Sequence, residues 1–496
     1  MRVGLRATHL INRIFSHSVG SASAVRWRTA HIKLLCSSSD ESRGSRSSLL
    51  RHLTSKIQAT GPITVAEYMR EVLTNPLMGY YVRNDMLGPD GDFITSPEIS
   101  QIFGELIGVW IISEWIGAGR PKQLQLVELG PGKGSLAADI LRVFTQLHSV
   151  IGDASVSLHL VEVSPVLSRI QAQELTRTCS HEVDNTDTPV YCSGETATGL
   201  PVSWYRRLED VPAGTRGEVL WVVRQDVPTG SALCAGFSIF LAHEFFDALP
   251  VHKFEVNLVS CEEPLKGFQG FLSGSCLCQR TQKGWREVLV DIHPEKPEQL
   301  RFVLAPSPTL ASSALVQADE RRSHVEVCAE GGVLVQQLAR RVAEHGGAAL
   351  IADYGHDGTK TDTLRGFKGH RQHHVLADPG SADLTADVDF RYLRRMAGGG
   401  VACMGPLAQR AFLKNMGIDA RMQVLLRNCT DASTRKQLIN SYALLTDPAQ
   451  MGERFNFFCL LHHGRLVQPQ VLTGLKLEKR SPAQLPVAGF TELSYS

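Results

Sequence analysis

The sequence predicts an α/β fold, a mostly parallel doubly wound sheet carrying an inserted antiparallel β segment and an N-terminal helical extension. Three observations predict it. From Leu124 onward, short apolar runs (LQLVEL, VSLHLVEV, FSIFLAHEF and GAALIADYG) alternate with helical stretches, the pattern of parallel strands with covering helices. A glycine-rich turn, VELGPGKGSL at 127–136, joins the first of these runs to the first helix. Between the third and fourth runs, VHKF, WREVLVDI and RFVLAP interrupt the alternation as an antiparallel β insertion at about 251–310, before a helix from about Gly332 to His345 restores it.

The elements follow in order. Residues 1–39 hold six Arg or Lys, many Ser and no Asp or Glu before Asp40. That is transit-peptide composition, and Leu5, Ile11, Ile14 and Phe15 line one side of a basic amphipathic helix. Residues 1–45 are read as a mitochondrial leader, disordered and outside the fold. Residues 46–118 form the helical extension and a loop over the cofactor. Thr64 and Glu67 make a capping box for a helix that starts near Val65 and stops before Asn75-Pro76. Ser96-Pro97 opens a second helix, with Ile99, Ile102, Phe103, Leu106, Ile107, Trp110 and Ile111 at helical spacing. Between them, residues 78–100 read as a long loop. The main domain spans 119–465, its last run GERFNFFCLL being an antiparallel edge strand, and 466–496 is a tail.

Composition excludes several classes. The chain of 496 residues is 43% hydrophobic and carries a net charge of +1, so it offers no broad positive field for nucleic acid. No run approaches the roughly 18 apolar residues of a membrane-spanning helix. The eleven cysteines are scattered and odd in number, without paired CxxC motifs, which argues against a disulfide framework or a metal site. Cys276 and Cys278 read as two ordinary loop thiols.

In doubly wound sheets ligands bind beyond the carboxyl ends of the strands. Those ends carry Glu128, Glu162, His243-Glu244 and Asp353. The turn Gly130-Pro131-Gly132-Lys133-Gly134, leading into Ser135, departs from the dinucleotide fingerprint GxGxxG, and its next strand-end acid, Glu162, follows Gly130 by 32 residues. Ser or Thr after Lys133 would be needed for a nucleotide triphosphate loop, and Gly134 stands there. An acid ahead of the glycines suits the cationic amino-acid part of S-adenosylmethionine, and a carboxylate at Glu162 suits two ribose hydroxyls. The pair favours S-adenosylmethionine over a nicotinamide cofactor.

Six segments together, GYYVRNDMLGPDGDFITSPEISQIFGELIG, LVELGPGKGSL, LAHEFFDALPVHKF, ADYGHDG, DLTADVDF and MGERFNFF, resemble the MidA-like family, and in particular its mitochondrial arginine-methylating branch. The resemblance covers most of residues 50–465. It implies a class I S-adenosylmethionine-dependent methyltransferase fold, a matrix location, and symmetric dimethylation of an arginine in a core quinone-module subunit of complex I, in support of complex I assembly. A guanidinium is protonated in water and a poor nucleophile, so its methylation needs carboxylates to orient it and draw off charge. Glu244 and Asp247 in HEFFDALP are the candidates, with His243 as proton acceptor or orienting partner; capping of a following helix is the other reading of the two acids. Thr95 and Ser96 are candidate cofactor contacts, Glu98 either approaches the substrate or compensates a helix dipole, and Asp353 is a further candidate for the cleft. Asp387 and Asp389 read as solvated turn residues at least as well as functional ones. Tyr80, Tyr81 and Phe93 read as packing groups, with adenine contact left open.

The chain also departs from the family, which runs with little or nothing added where this sequence has 215–236 and 255–278; these insertions hold four of the eleven cysteines and flank the strand bearing the proposed substrate acids. A small-molecule methyltransferase and a non-catalytic complex I assembly chaperone remain the alternatives. The oligomeric state is left open.

Overall fold

The computed structural model describes residues 41–83, 95–181, 189–213, 237–258, 282–466 and 487–490. The central sheet runs in the order 402–408, 455–461, 347–356, 237–243, 123–129, 155–161, 201–205, 190–195, 178–181. Its five middle strands are parallel. Their side chains are buried on both faces over most of each strand, which is why these runs read as continuous apolar stretches instead of alternating ones. One face packs under Gln101–Gly117, Ser135–Gln146 and Pro165–Leu175, through Phe103, Trp110, Leu124, Leu126, Ile140, Leu158 and Leu160. The other packs under Ala329–His345 and Phe390–Ala397, through Val127, Leu129, Phe240, Val335, Leu338 and Phe390. From Gln123–Leu129 the chain steps outward to 155–161 and 201–205, then returns to lay Phe237–His243 on the opposite flank. The order therefore reverses between 123–129 and 237–243, and ligand crevices open at such a point.

The second sheet joins Ile63–Thr64, Gln282–Ile292, Leu300–Leu304, His252–Leu258 and His324–Val327, all antiparallel. The expected insertion at 251–310 is thus larger: it continues to Val327 and borrows a strand from the N-terminal region. Thr64 caps Val65–Thr74 by accepting the Glu67 N–H at 3.0 Å, and the buried face of that helix, with Leu49, Leu53 and Ile57, packs on Val288, Val290, Leu300 and Leu384. The helical extension is accordingly part of the second core. Its boundary at 118 also shifts, because Gln101–Gly117 is apolar on every side and lies in the central core.

Other expectations change as well. The leader expected to end at 45 overlaps a helix that begins at Glu41, while residues 1–40 lie outside the described residues. The loop expected over 78–100 contains two short helices, Tyr80–Arg83 and Ser96–Ile99, with 84–94 outside the described residues. Ser96 does not cap the long helix: Thr95 precedes the short one and Ser100 caps the long one, accepting from the Ile102 N–H at 3.3 Å. Phe455–Leu461 is antiparallel but second from the edge, since Ala402–Ala408 pairs beyond it. Insertion 215–236 lies outside the described residues; of 255–278, residues 255–258 complete a strand and the rest lie outside.

The tail expected at 466–496 is tied down at 487–490. Trp110 Nε1 donates to the Ala488 carbonyl at 3.1 Å, Asn415 Nδ2 donates to that of Gly489 at 2.8 Å, and Phe490 meets Phe412 edge-on. Beneath them Arg465 and Glu114 form a buried pair, with Arg465 Nε 2.8 Å from Glu114 Oε2, and the Ala488 N–H donates to Glu114 Oε1 at 3.3 Å. Removing one partner strands the other's charge in the core. Arg465→Ala should lower the unfolding free energy by about 3–5 kcal/mol in urea titrations, and replacing both Arg465 and Glu114 by Leu should recover part of that loss.

Candidate active site

Parallel pairing brings four strands to one rim within a residue of a common level, although Gly347–His356 runs on past its last pair with Phe237–His243. Leu129 lies opposite Val161 and Ala242, and His243 opposite Ala352. The residues that follow are Gly130, Glu162, Glu244 and Asp353, so the strand-end acids read from the sequence gather at one rim.

The glycine turn is built for close approach. Gly130, Gly132 and Gly134 have φ of 61°, 55° and 83°, conformations that cost side chains dearly. A Cβ on Gly130 would sit 2.6 Å from the Phe245 ring. The glycine turn and the acid turn of 244–247 therefore touch. Pro131 is buried, Gly134 gives its N–H to the Pro131 carbonyl at 2.8 Å, and Ser135 begins the next helix.

Glu128 is 3% exposed, and its Oε2 has no hydrogen-bond partner among the described residues. Burial pushes its carboxyl up to about 8. A buried acid left unsatisfied is costly unless a cation or donor completes it. Together with a turn that admits no side chain, it fits the ammonium end of S-adenosylmethionine. Glu162 is differently placed. Its carboxylate accepts from the Ser164 N–H at 2.7 Å and from Gln171 Nε2 at 3.1 Å, and burial pushes it up to about 7 against those donors. Those donors fix its orientation while leaving acceptor capacity for ribose hydroxyls.

Gln171 was missed from the sequence. It is fully buried, donates to the Gly132 carbonyl at 2.7 Å as well as to Glu162, and accepts from Trp204 Nε1 at 2.9 Å. It thereby braces the glycine turn against the second strand end. A signal existed: Leu167, Gln171 and Leu175 share one helix face, and a polar residue on an apolar stripe needs partners.

The acid turn follows Phe237–His243. No helix comes after it, so neither Glu244 nor Asp247 is a helix cap. Glu244 has φ of 49° and donates its N–H to the Ala352 carbonyl at 2.9 Å. A non-glycine residue in that region is strained, and such strain collects at functional sites. Its Oε1 accepts from the Ser96 N–H at 3.1 Å and lies 3.4 Å from the Ser96 hydroxyl, so Ser96 meets Glu244 where a cofactor contact was expected. Thr95 gives its N–H to Glu98 at 3.2 Å. Burial first, and then the charges of Asp247 and Glu98, push Glu244 up to about 8. Asp247 Oδ2 accepts from the Thr385 hydroxyl at 2.8 Å, and the Tyr354 hydroxyl, the charge of Arg365 and the Ala248 N–H also favour its carboxylate, while Oδ1 makes no well-aligned hydrogen bond among the described residues. Burial raises Asp247 too. His243 packs on the Phe103 ring and is held neutral by burial, pushed down to about 3. Its Nε2 is 3.2 Å from Glu244 Oε1 without the alignment of a hydrogen bond.

The remaining candidates are structural. Asp387 is buried against Lys360 and Arg365, and Asp389 caps Phe390–Ala397 while pairing with Arg322. Neither is the solvated turn residue expected. Tyr80 is packed in the second core, Tyr81 donates to Asp383 at 2.6 Å, and Phe93 lies outside the described residues.

Two buried carboxylate oxygens without a well-aligned hydrogen bond among the described residues, on Glu128 and Asp247, thus stand at the ends of adjacent strands with a glycine turn between them. Residues 106–407 match the S-adenosyl-L-methionine-dependent methyltransferase family. A Danio rerio protein named protein arginine methyltransferase NDUFAF7, mitochondrial, is 59% identical over 93% of this chain and 95% of its own length. The Homo sapiens protein of that name is 54% identical over 90% of each chain. A Drosophila melanogaster homologue is 43% identical over 93% of this chain and 95% of its own. Among solved structures, a Burkholderia thailandensis protein bound to S-adenosyl-homocysteine superposes with a TM-score of 0.61 at 21% identity, over 86% of this chain and 95% of that one, and shares the fold. The chain belongs to the S-adenosyl-L-methionine-dependent methyltransferase family, and S-adenosylmethionine is its cofactor.

Proposed function

We propose that this mitochondrial methyltransferase acts on a protein arginine, dimethylating it symmetrically, in a core quinone-module subunit of complex I within the matrix, and that complex I assembly or stability depends on it. The reading is supported by the relatives named protein arginine methyltransferase and by the resemblance to the family's mitochondrial branch. The observation that carries it is the acid turn: Glu244, strained and largely covered, and the buried Asp247, whose Oδ1 makes no well-aligned hydrogen bond among the described residues, both beside the glycine turn. Among the described residues no helix is long and apolar enough to cross a membrane, and a protein partner is met at this rim of the sheet.

When bound, S-adenosylmethionine supplies an electrophilic methyl on a sulfonium, and S-adenosyl-homocysteine is left after transfer. Glu128 holds the ammonium end, Glu162 the ribose, and Gly130 to Gly134 with Pro131 and Ser135 line the backbone cradle. Glu244 and Asp247 accept the guanidinium N–H groups. Desolvation holds both carboxyls high, so an arriving cation is what draws them to the charged state. Paired carboxylates hold one guanidinium nitrogen toward the methyl and offset its charge. As the N–C bond forms and the C–S bond breaks, that nitrogen gives up a proton. The acceptor is one of the two carboxylates, whose raised values make them the stronger bases, while His243, held neutral by burial with Nε2 3.2 Å from Glu244 Oε1, is an orienting partner.

Labelled methyl transfer from S-adenosylmethionine to purified complex I core subunits by the full chain should place label on arginine. Label on no protein, with the cofactor bound, would favour an assembly chaperone or a small-molecule substrate. Glu244→Gln and Asp247→Asn should each lower kcat by about 10²–10³-fold, with cofactor affinity unchanged by calorimetry.

Gly132→Val, at φ 55°, should abolish cofactor binding and the rise in melting temperature that the cofactor confers, because a β-branched residue cannot take that conformation without strain.

Glu128 sets a pH dependence. Its folded value of about 8 lies above the ordinary 4.5, so its contribution to stability is full at low pH and is lost as pH rises through about 8. The empty wild-type enzyme should therefore lose melting temperature relative to Glu128→Gln between these values. Bound ammonium reverses the preference, so cofactor binding at pH 7 should release a proton, seen as a buffer-dependent enthalpy. Glu128→Gln should abolish that release and weaken binding by roughly 10–150-fold, the loss of one charge-assisted hydrogen bond.

A further inference from the structure

Asp353 lies on the strand Gly347–His356 just past its last pair with Phe237–His243, one step from the acid turn, and it is 0% exposed. Its Oδ2 accepts three consecutive backbone N–H groups, those of Phe245 at 3.1 Å, Phe246 at 3.0 Å and Asp247 at 3.3 Å. Its Oδ1 accepts the N–H of Tyr354 at 2.9 Å. Both oxygens are thereby engaged with backbone, whereas Glu128 and Asp247 each keep an oxygen without a well-aligned hydrogen bond among the described residues. A run of N–H groups converging on one point is an anion-binding nest. Here the chain fills the nest itself.

The geometry assigns Asp353 as a positioning residue: it pins the 245–247 backbone and so holds Glu244, in its left-handed conformation, and Asp247 in the orientation that receives the guanidinium. The assignment rests on the proposed arginine reading for its substrate and on hydrogen bonds within the chain for its action. Glu244 at φ 49° is a conformation that persists only where its surroundings impose it. The imposing contacts are the strand bond from its own N–H to the Ala352 carbonyl and the three bonds to the next residue, Asp353. Other bonds hold the turn as well, from the Leu249 N–H to the Phe246 carbonyl at 3.2 Å, from the Ala386 N–H to the Asp247 carbonyl at 3.0 Å and from the Ser96 N–H to the Glu244 carboxylate at 3.1 Å, but the bonds to Asp353 are the ones that gather three consecutive N–H groups of the turn on a single atom. The same N–H groups, occupied by a carboxylate, are closed to an anionic ligand, so the turn presents its acids and not those backbone donors.

Asp353→Asn keeps the shape and one acceptor oxygen but weakens three charge-assisted bonds. It should lower kcat by about 100-fold, as displacement of reacting groups by about 1 Å does, with cofactor affinity changed less than threefold. Combined with Glu244→Gln, the loss should fall well short of the product of the two single losses, because residues that act as one unit are not additive. A kcat within threefold of wild type, or full multiplicativity in the double variant, would overturn the assignment. If Asp353→Asn does not fold, hydrogen exchange on the wild-type chain decides: the amides of Phe245, Phe246 and Asp247 should exchange as slowly as those of the neighbouring strand, and exchange at open-loop rates would sink the idea. Failure of the wild type to label any arginine would reject the substrate reading alone, since the exchange result judges the clamp independently.

Discussion

Leu129 lies opposite both Val161 and Ala242, and His243 opposite Ala352, so one continuous parallel register brings four strands to a shared rim. Slip any of these pairings by one residue and every side chain beyond it turns to the other face. Glu128 would leave the rim and Asp353 would lose the N–H groups it holds. The register is itself secured from both sides, since alternate residues of the same strands are locked into two separate cores, Leu124 and Leu126 in one and Val127 and Leu129 in the other. Function thus depends on packing that lies well below the site.

That packing also supplies the site's electrostatics. Glu128, Asp247 and Asp353 are buried and Glu244 is largely covered, and desolvation raises each of them. Clustered acids repel, and a cluster of four would be hard to maintain without compensation. The compensation differs at each position. Backbone N–H groups satisfy Asp353, Ser96 partly satisfies Glu244, and Thr385 satisfies half of Asp247. What remains open is one oxygen on each side of the glycine turn, matching two cations, an ammonium on one side and a guanidinium on the other. A pocket of this kind rejects neutral or anionic visitors by leaving its own acids unpaired.

How much of this was legible in the sequence follows from how local each feature is. The Thr64 cap, the glycine turn and the strand-end acids are short-range patterns, and they were read correctly as elements. The strands at 178–181 and 190–195 were not, because both lack a strong apolar run and form by pairing, Val190–Glu195 with Pro201–Tyr205 and Thr178–His181 with Val190–Glu195. The edge strand Ala402–Ala408 was missed for the same reason: it carries Gly405 and Pro406 and shifts register between Met404 and Leu407. At the site, the contacts that escaped join distant positions, Ser96 to Glu244 and Asp353 to Phe245. Residue type told which groups could do chemistry; only the fold told which of them face a ligand and which face the backbone.

The described residues at the edges of the segments read as insertions, 215–236 and 255–278, stand away from the acid turn. Leu258 and Gln282 pair with each other at the far end of a hairpin from Asp247. Phe237 is the amino end of a strand whose carboxyl end bears the acid turn, and seven strand residues span about 23 Å. Near Val211 the backbone is held by Arg341, which donates to the Leu208 and Val211 carbonyls at 2.8 and 2.9 Å. These edge residues are therefore fixed by the second sheet and the central fold, independently of the contacts that build the rim.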